Sequence, residues 1–515
     1  MGTQTIRPRL GGFTAVIILL FGTLLACARS VLPEDAPAWY VPGEEAGGPI
    51  VANATQALQL PPTRLPGAPI LTPTPDNPHP IPTPRSEPIQ YSVQAGDTLG
   101  LIAQRYGVSL DEMITANSIA NPNLLEVGQG LVIPAPAPFG IAPDFKIIPD
   151  SELVYGPSSA QFDVDQFIQS KGGYLAQYKE ELNEKSVSGI QIVQRVAQNY
   201  SVNPRLLLTA LEYQSGWVTQ VKPDESTLEY PMGVRDEWRK SLYRQLTWTA
   251  NQLNLGFYLW RVNGVSTWLL GDGSVVPVAP SINAGTAGVQ QLFAPLYGRQ
   301  DWEKAVTTEG FFATYNSFFG YPFDLAIEPS LPTGLRQPTL RLPFEEGKAW
   351  AFTGGPHGGW DNGSAWAALD FAPPSDSVGC IPSNEWVTAV ADGRILRANN
   401  GAVIQDLDND GLEQTGWVIL YMHIESRDRI QPGAYLMAGE RIGHPSCEGG
   451  VSSGTHVHIA RKYNGEWIPA DQQLPFVLDG WVSRGTGNLY DGYLEKNDKS
   501  VEAYAGRSPN NIIER

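Results

Sequence analysis

Two histidines separated by a single valine, in the run SSGTHVHIARK from Ser452 to Lys462, constrain the last third of this chain more than any other feature. Only six histidines occur in all 515 residues. The neighbours are β-like, and on a strand residues i and i+2 point to the same face, roughly 6–7 Å apart. His456 and His458 therefore address one cleft together. Two further runs share this character. WAFTGGPHGGWDNGSAWAALDFAPP (Trp350 to Pro374) and VILYMHIES (Val418 to Ser426) each place a His or Asp in or beside a short strand-like stretch. Spacing alone does not decide whether both imidazoles of HVH ligate a metal or only one.

Water at neutral pH attacks an amide poorly. A zinc ion on three protein ligands keeps one position open and lowers the pKa of a water there to about 7. Two neutral imidazoles and one carboxylate make such a set and leave net positive charge to polarise a carbonyl. Further histidines beside the water can shuttle its proton or hold a developing oxyanion.

On these residues, 341–468 resembles the lysostaphin-type zinc endopeptidases, which cut the peptide part of bacterial peptidoglycan. The matching motifs are HVH with its preceding Ser-Ser-Gly-Thr, the YMH run, and GERIGH from Gly439 to His444. The resemblance implies a mostly antiparallel β-sheet with a long open cleft. It implies His357, Asp370 and His458 as Zn2+ ligands, and His423 and His456 as the catalytic pair. All five positions are filled, which argues against an inert member.

Most of that family carries its Asp four residues after the first His, which here is Asp361. The matching LDFAPP instead puts Asp370 thirteen residues on, a spacing similar to the beta-lytic and staphylolysin branch. Asp361 sits in WDNGS, an ordinary turn sequence. Asp370 sits in an apolar run, where a carboxylate is costly unless something pairs with it. Asp370 is therefore the expected ligand, and His444 is expected at the surface or in support of the site.

The rest of the chain reads as a delivery system. A length of 515 residues exceeds one core, so several domains are expected. The formal net charge of −18 argues against a nucleic-acid partner. Arg7 and Arg9 precede an apolar run from Phe13 to Leu25, too short for a comfortable membrane span, which ends in LLAC at Leu24–Cys27. This resembles the lipobox of bacterial lipoproteins. It implies a signal peptide over 1–26, lipidation of Cys27, and a mature chain anchored to the membrane outside the cytoplasm, facing the wall. Of the three cysteines, lipidation of Cys27 leaves Cys380 and Cys447. In an oxidising exterior that pair is expected to form a disulfide. Residues 27–89 are Pro-rich and aperiodic, as in TPTPDNPHPIPTP, and read as an extended flexible linker in which His79 is solvated.

Residues 90–134 begin with a short strand and the Gly96-Asp97-Thr98 turn. Asp97 is expected to cap a helix with Leu99, Ile102, Ala103 and Tyr106 on one face. Ser109 is expected to cap a second helix in a box with Glu112. VGQGLVIP then closes as turn and strand. The segment resembles the LysM module. The likeness implies an N-acetylglucosamine-containing glycan in a groove between Gly96, Asp97, Thr98 and Leu99 on one side and Asn121, Pro122, Asn123 and Leu124 on the other.

Residues 145–338 are mainly helical in pattern. In SVNPRLLLTALEYQSGWV, Asn203 and Pro204 read as N-cap and first helical residue. Glu212 lies near the helix end. This piece resembles, distantly, the lysozyme-like lytic transglycosylases and muramidases, in which such a Glu protonates the glycosidic oxygen; here Ser215 lies three residues after Glu212 instead of one. Trp217, Trp238, Trp248 and Trp260 read as core or sugar-stacking residues. DLDNDG, Asp406 to Gly411, copies the first half of a calcium loop but has Trp417 where the bidentate Glu belongs, and reads as a polar turn.

The expected protein is thus multidomain: a small α+β LysM module, a mainly α-helical lysozyme-like middle domain, a mostly antiparallel β peptidase domain and a C-terminal extension over 469–515. The expected function is a zinc-dependent peptidoglycan endopeptidase. The competing readings are a non-catalytic wall-binding scaffold and a glycan-cleaving enzyme centred on Glu212.

Overall fold

The computed structural model describes residues 78–81, 85–94, 97–122, 124–135, 140–375 and 379–515. The expected signal peptide, Cys27 and most of the linker lie outside these residues, as do Gly96 and Asn123. Among the described residues no helix is long and apolar enough to cross a membrane.

In the first module, β1 (Ile89–Ser92) pairs antiparallel with β2 (Gly130–Ile133), and α1 (Leu99–Tyr106) and α2 (Leu110–Asn117) lie between them. Leu99, Ile102, Met113, Leu131 and Ile133 are fully buried together. Ser109 and Glu112 form the expected capping box. Asn117 ties α2 to β2, accepting from Val132 N at 2.6 Å and donating to Val132 O at 2.7 Å. Asp97 does not cap α1. Thr98, directly before the helix, accepts from Leu101 N at 3.2 Å. Asp97, one residue too early, instead accepts from Tyr91 OH at 2.6 Å and Gln94 N at 2.8 Å.

The middle region is built on α3 (Gly189–Tyr200), α4 (Pro204–Ser215), α5 (Leu242–Arg261) and α6 (Ala284–Phe293), with shorter helices around them. Asn203 caps α4 through Arg205 N, with Pro204 as its first residue. Helices α5 and α6 approach closely because Gly288 has no side chain: a Cβ there would lie 2.7 Å from Leu253 O. Trp217, Trp248 and Trp260 are core residues, and Trp238 is exposed. His79 is not simply solvated, because its ring stacks on Trp260 at 4.4 Å.

The last third is a nine-stranded antiparallel sheet. Its strands are β3 (Ala349–His357), β4 (Ala368–Ala372), β5 (Gly393–Asn399), β6 (Ala402–Asp406), β7 (Trp417–Met422), β8 (Tyr435–Leu436), β9 (Val457–Tyr463) and β10 (Glu466–Trp467), with a final strand from the chain's end. A four-stranded sheet follows: β11 (Val477–Leu478), β12 (Trp481–Gly485), β13 (Gly492–Lys496) and β14 (Lys499–Glu502). Then β15 (Ile512–Glu514) returns to the main sheet and pairs with the free edge of β3. The order is β8-β5-β6-β7-β9-β4-β3-β15, with β10 beside β9. Residues 469–515 are therefore an integral part of this domain. Phe476, Leu478, Trp481, Leu494 and Ile513 enter the same core as Phe352, Phe371, Ile419 and Ile459.

The other face of the sheet is covered as well. Ala368, Ile404, Val418, Leu420, Met422 and Ala460 join one apolar cluster with Tyr200, Leu253, Phe257 and Tyr258 of the helical region. Polar contacts border it. Arg397 donates to Asn199 Oδ1 at 3.0 Å, and Tyr258 OH accepts from Trp467 N at 2.9 Å. Beneath them Glu413 is buried between Arg397 and Lys462, with Lys462 Nζ at 2.7 Å.

Candidate metal centre

Strand register assembles the candidate site. Met422, His458, Asp370 and Gly354 form one row across β7, β9, β4 and β3. His357 ends β3, just past two register shifts in its pairing with β4. His423 follows β7 directly, with a left-handed φ of 65°, and His456 precedes β9. A non-glycine residue in that conformation is held there by its surroundings. Ser446 supplies them, donating from N at 2.7 Å and from Oγ at 2.9 Å to His423 O.

His357 Nε2, Asp370 Oδ1 and His458 Nδ1 converge. The two nitrogens are 3.0 Å apart, and each is 3.2 Å from the carboxylate oxygen. The opposite ring nitrogens face carbonyls: His357 Nδ1 lies 2.8 Å from Gly355 O and His458 Nε2 3.1 Å from Gly359 O. A carbonyl only accepts, so in the neutral rings those nitrogens carry the protons. Three electron-pair donors then meet with no proton between them. Among the described residues Asp370 Oδ1 is buried without a hydrogen-bond partner. Such a triangle is repulsive unless a cation sits against it. Bonds of 2.0–2.1 Å at tetrahedral angles would space the ligand atoms about 3.3–3.4 Å apart, close to what these three show. The donor set fits a divalent metal with an open position.

Burial works to raise the Asp370 carboxyl, but His357 and His456 outweigh it and hold it well below the usual carboxylate range. Burial likewise opposes charging of His357, yet the adjacent Asp370 carboxylate raises it. His458 is lowered, chiefly by burial. His423 is pushed down to about 3 by burial and by its neighbours His456 and His458.

His423 and His456 flank the triangle with ring centroids 4.5 Å apart. His423 Nδ1 lies 2.9 Å from Glu448 O, and His456 Nδ1 2.8 Å from Gly454 O. Both rings therefore turn an Nε2 lone pair toward the cleft, that of His456 lying 3.7 Å from Asp370 Oδ1. A disulfide between Cys380 and Cys447 ties down the loops on this side.

Other candidates lie elsewhere. Asp361 is outside the triangle, where its Oδ2 accepts from Tyr200 OH at 3.0 Å. His444 is packed on Trp386 at 3.9 Å, with Nδ1 on Glu385 O. Glu212 accepts from Val218 N and Thr219 N, both at 3.1 Å, and from Thr219 Oγ1 at 2.5 Å, which pins the turn after α4. Carboxylate oxygens of Asp406, Asp408 and Asp410 lie within 4.8 Å of one another. Asp406 is occupied by the N–H groups of Asp408, Asn409 and Gly411, as in a polar turn. In the first module a groove of about 440 Å³ is lined by Asp97, Thr98, Leu99, Gly100, Leu110, Pro122 and Leu125; Asn121 and Leu124 are not in its lining.

Two features were not expected from the sequence. Tyr490 stacks on His357 at 4.3 Å from the C-terminal region. Gly354 faces Asp370 so closely that a Cβ would lie 2.5 Å from Asp370 Oδ2. The glycine pair before His357 was the available signal for the second.

Residues 146–331 match the family described as LasA, N-terminal domain, and residues 91–134 match the LysM domain. Protease LasA of Pseudomonas aeruginosa is 23% identical over 343 residues, covering 62% of this chain and 74% of that protein. The beta-lytic metalloendopeptidase of Lysobacter enzymogenes is 26% identical, over 33% of this chain and 93% of that protein. Among solved structures, an M23 metalloprotease, pseudoalterin, is 26% identical over 33% of this chain and 96% of its own, with a TM-score of 0.27.

Proposed function

We propose that this chain is a zinc-dependent endopeptidase that cuts the peptide cross-links of bacterial peptidoglycan and is held to the glycan by its LysM module. One observation carries the reading: a ready-made N,N,O donor triangle with two base-competent imidazoles beside it. The similarity to LasA and the beta-lytic metalloendopeptidases supports the reaction class. His357, Asp370 and His458 would hold the metal. When bound, zinc lowers the pKa of a water and polarises the scissile carbonyl.

The remaining steps belong to the chain's own residues. Nε2 of His423 or His456 takes the proton as the water oxygen bonds to the carbonyl carbon. Burial keeps His423 neutral, so it starts in the accepting form. The protonated imidazole then donates to the leaving amine nitrogen as the C–N bond breaks. The other imidazole, in its protonated form, steadies the negative charge on the carbonyl oxygen through Nε2–H.

The Asp97–Leu99 and Pro122 groove would take N-acetylglucosamine-containing glycan. Lipidation at Cys27 would place the enzyme on the outer side of the membrane, and the Pro-rich segment would let it reach the wall. Digestion of purified peptidoglycan by the full chain, with and without chelator, tests the function. Mass spectrometry should find new amino and carboxyl termini in the peptide, lost on chelation and restored by zinc. Intact cross-links throughout would support the scaffold reading. New glycan ends with intact peptide would support a role for Glu212, whose carboxylate is otherwise committed to its own turn.

A further inference from the structure

The loop between the two metal-ligand strands, residues 358–367, is held by the helical domain. It carries the carbonyl that fixes one ligand: Gly359 O accepts from His458 Nε2 at 3.1 Å, which leaves Nδ1 free to ligate. The loop's own bonds are local, and Ala470 N also donates to Trp366 O at 2.7 Å from the sheet domain. Trp360 N donates to Ser364 Oγ at 2.9 Å, and Gly359 N to Ala365 O at 3.0 Å. Its tip is gripped from outside. Tyr200 OH, at the end of α3, donates to Asp361 Oδ2 at 3.0 Å. Asn251 Oδ1, on α5, accepts from Gly363 N at 2.6 Å. A Cβ at Gly363 would run into the Asn251 carbonyl, so loop and helix are in backbone contact.

Tyr200 is itself fixed, and Asn251 lies within α5. Asn254, one turn along α5, donates to Tyr200 O at 2.8 Å, and Trp467 Nε1 donates to the same carbonyl at 3.4 Å. Asp361 at the tip has a left-handed φ of 56°. Asp occupies that region readily in turns, and Asn362 N donates to its Oδ1 at 2.7 Å.

We propose that Tyr200 and Asn251 are positioning residues for the metal ligand His458, acting through the loop 358–365. The inference rests on the metal-site reading above. Groups that orient a ligating histidine by its second nitrogen commonly change metal affinity by 10–100-fold when lost. These two act one step further out, on the segment that holds the orienting carbonyl, so the lower end of that range is expected.

The test uses the full chain and zinc itself, with affinity read by competition against a chromophoric chelator. Tyr200→Phe keeps the ring and removes only the donor. Tyr200→Phe with Asn251→Ala removes both grips. The double variant should bind zinc about tenfold more weakly, and the single variant less so. Asn199→Ala is the control. It removes a contact of the same interface, the acceptor for Arg397, at a place that does not touch the loop. It should lower the melting temperature and leave zinc affinity within twofold of wild type. Wild-type affinity in Tyr200→Phe and in the double variant would overturn the proposal. So would an equal loss in Asn199→Ala, which would make the effect one of general stability. If the double variant does not fold, Tyr200→Phe decides alone. A wild-type chain that binds no zinc would refute the metal-site reading itself, a distinguishable result.

Discussion

Replacing Asp370 by Asn tests the core of the site with little change of shape. The carboxylate is the only anion of the triangle, and its Oδ1 lies 3.2 Å from both ligand nitrogens. An amide oxygen can occupy the same place but brings no charge. Apparent zinc affinities of structural four-ligand sites are about 10–16 kcal/mol, so one ligand carries roughly 3–4 kcal/mol. At about 1.4 kcal/mol per decade, Asp370→Asn should weaken zinc binding roughly 10²–10³-fold. Asp361→Ala removes the acceptor for Tyr200 OH but no member of the triangle. It should cost about 1 kcal/mol of stability and at most about tenfold in zinc affinity. Elemental analysis after dialysis against a weak chelator, with competition titrations, reads both variants. Zinc retained in the Asp370 variant and lost in the Asp361 variant would refute the assignment and place the anion at the short spacing. Zinc retained in both would mean that another group, such as His456 Nε2 at 3.7 Å from Asp370 Oδ1, completes the set.

Three further outcomes are expected. Because His423 is pushed down to about 3 while an unfolded histidine titrates near 6.5, the unfolded chain binds the extra proton between those values. Stability should therefore fall as pH drops below about 6.5, by up to about 1.4 kcal/mol per unit, and urea melts of His423→Gln should show a shallower slope. Glu413→Gln leaves buried Lys462 and half-buried Arg397 without their carboxylate and should cost about 3–5 kcal/mol in a denaturant titration. Cys380→Ser with Cys447→Ser opens a link across 67 residues and should cost about 4 kcal/mol. A loss below about 1 kcal/mol would mean that the flanking loops are held by other contacts.

What could be read from the chain depended on how local its cause was. Ser109 with Glu112, and Asn203 with Pro204, sit where the structure has helix starts, because a cap needs only its own next residues. Asp97 shows the limit of that reading: one residue separates a cap from a turn, and Thr98 takes the role. The WDNGS motif marked Asp361 as a turn residue, and the structure bonds it to Tyr200. Nothing near Tyr490 in sequence signals that it will lie on His357, since that contact needs the whole C-terminal hairpin in place. Residues 469–515 looked like an appendage because their strands are short and separated by turns. Their membership of the domain rests on β15 finding the open edge of β3, a long-range pairing without a local period.

The covering of the site-bearing face by the helical region was written more plainly. Alternation on β9 sends Val457 and Ile459 into the core under the sheet, while Ala460 joins the cluster above it, the face that also bears His458. On a strand with one wet face the residues between core positions are polar. VILYM on β7 is instead apolar at five consecutive positions, and Val418, Leu420 and Met422 cannot share a face with Ile419 and Tyr421. Such a run is the mark of a strand buried on both sides. It means that something must cover the face that carries His458 and Asp370, and here α3 and α5 do so. The helical region therefore packs on the face that carries the donor triangle, and reaches the 358–367 loop between β3 and β4 through Tyr200 and Asn251.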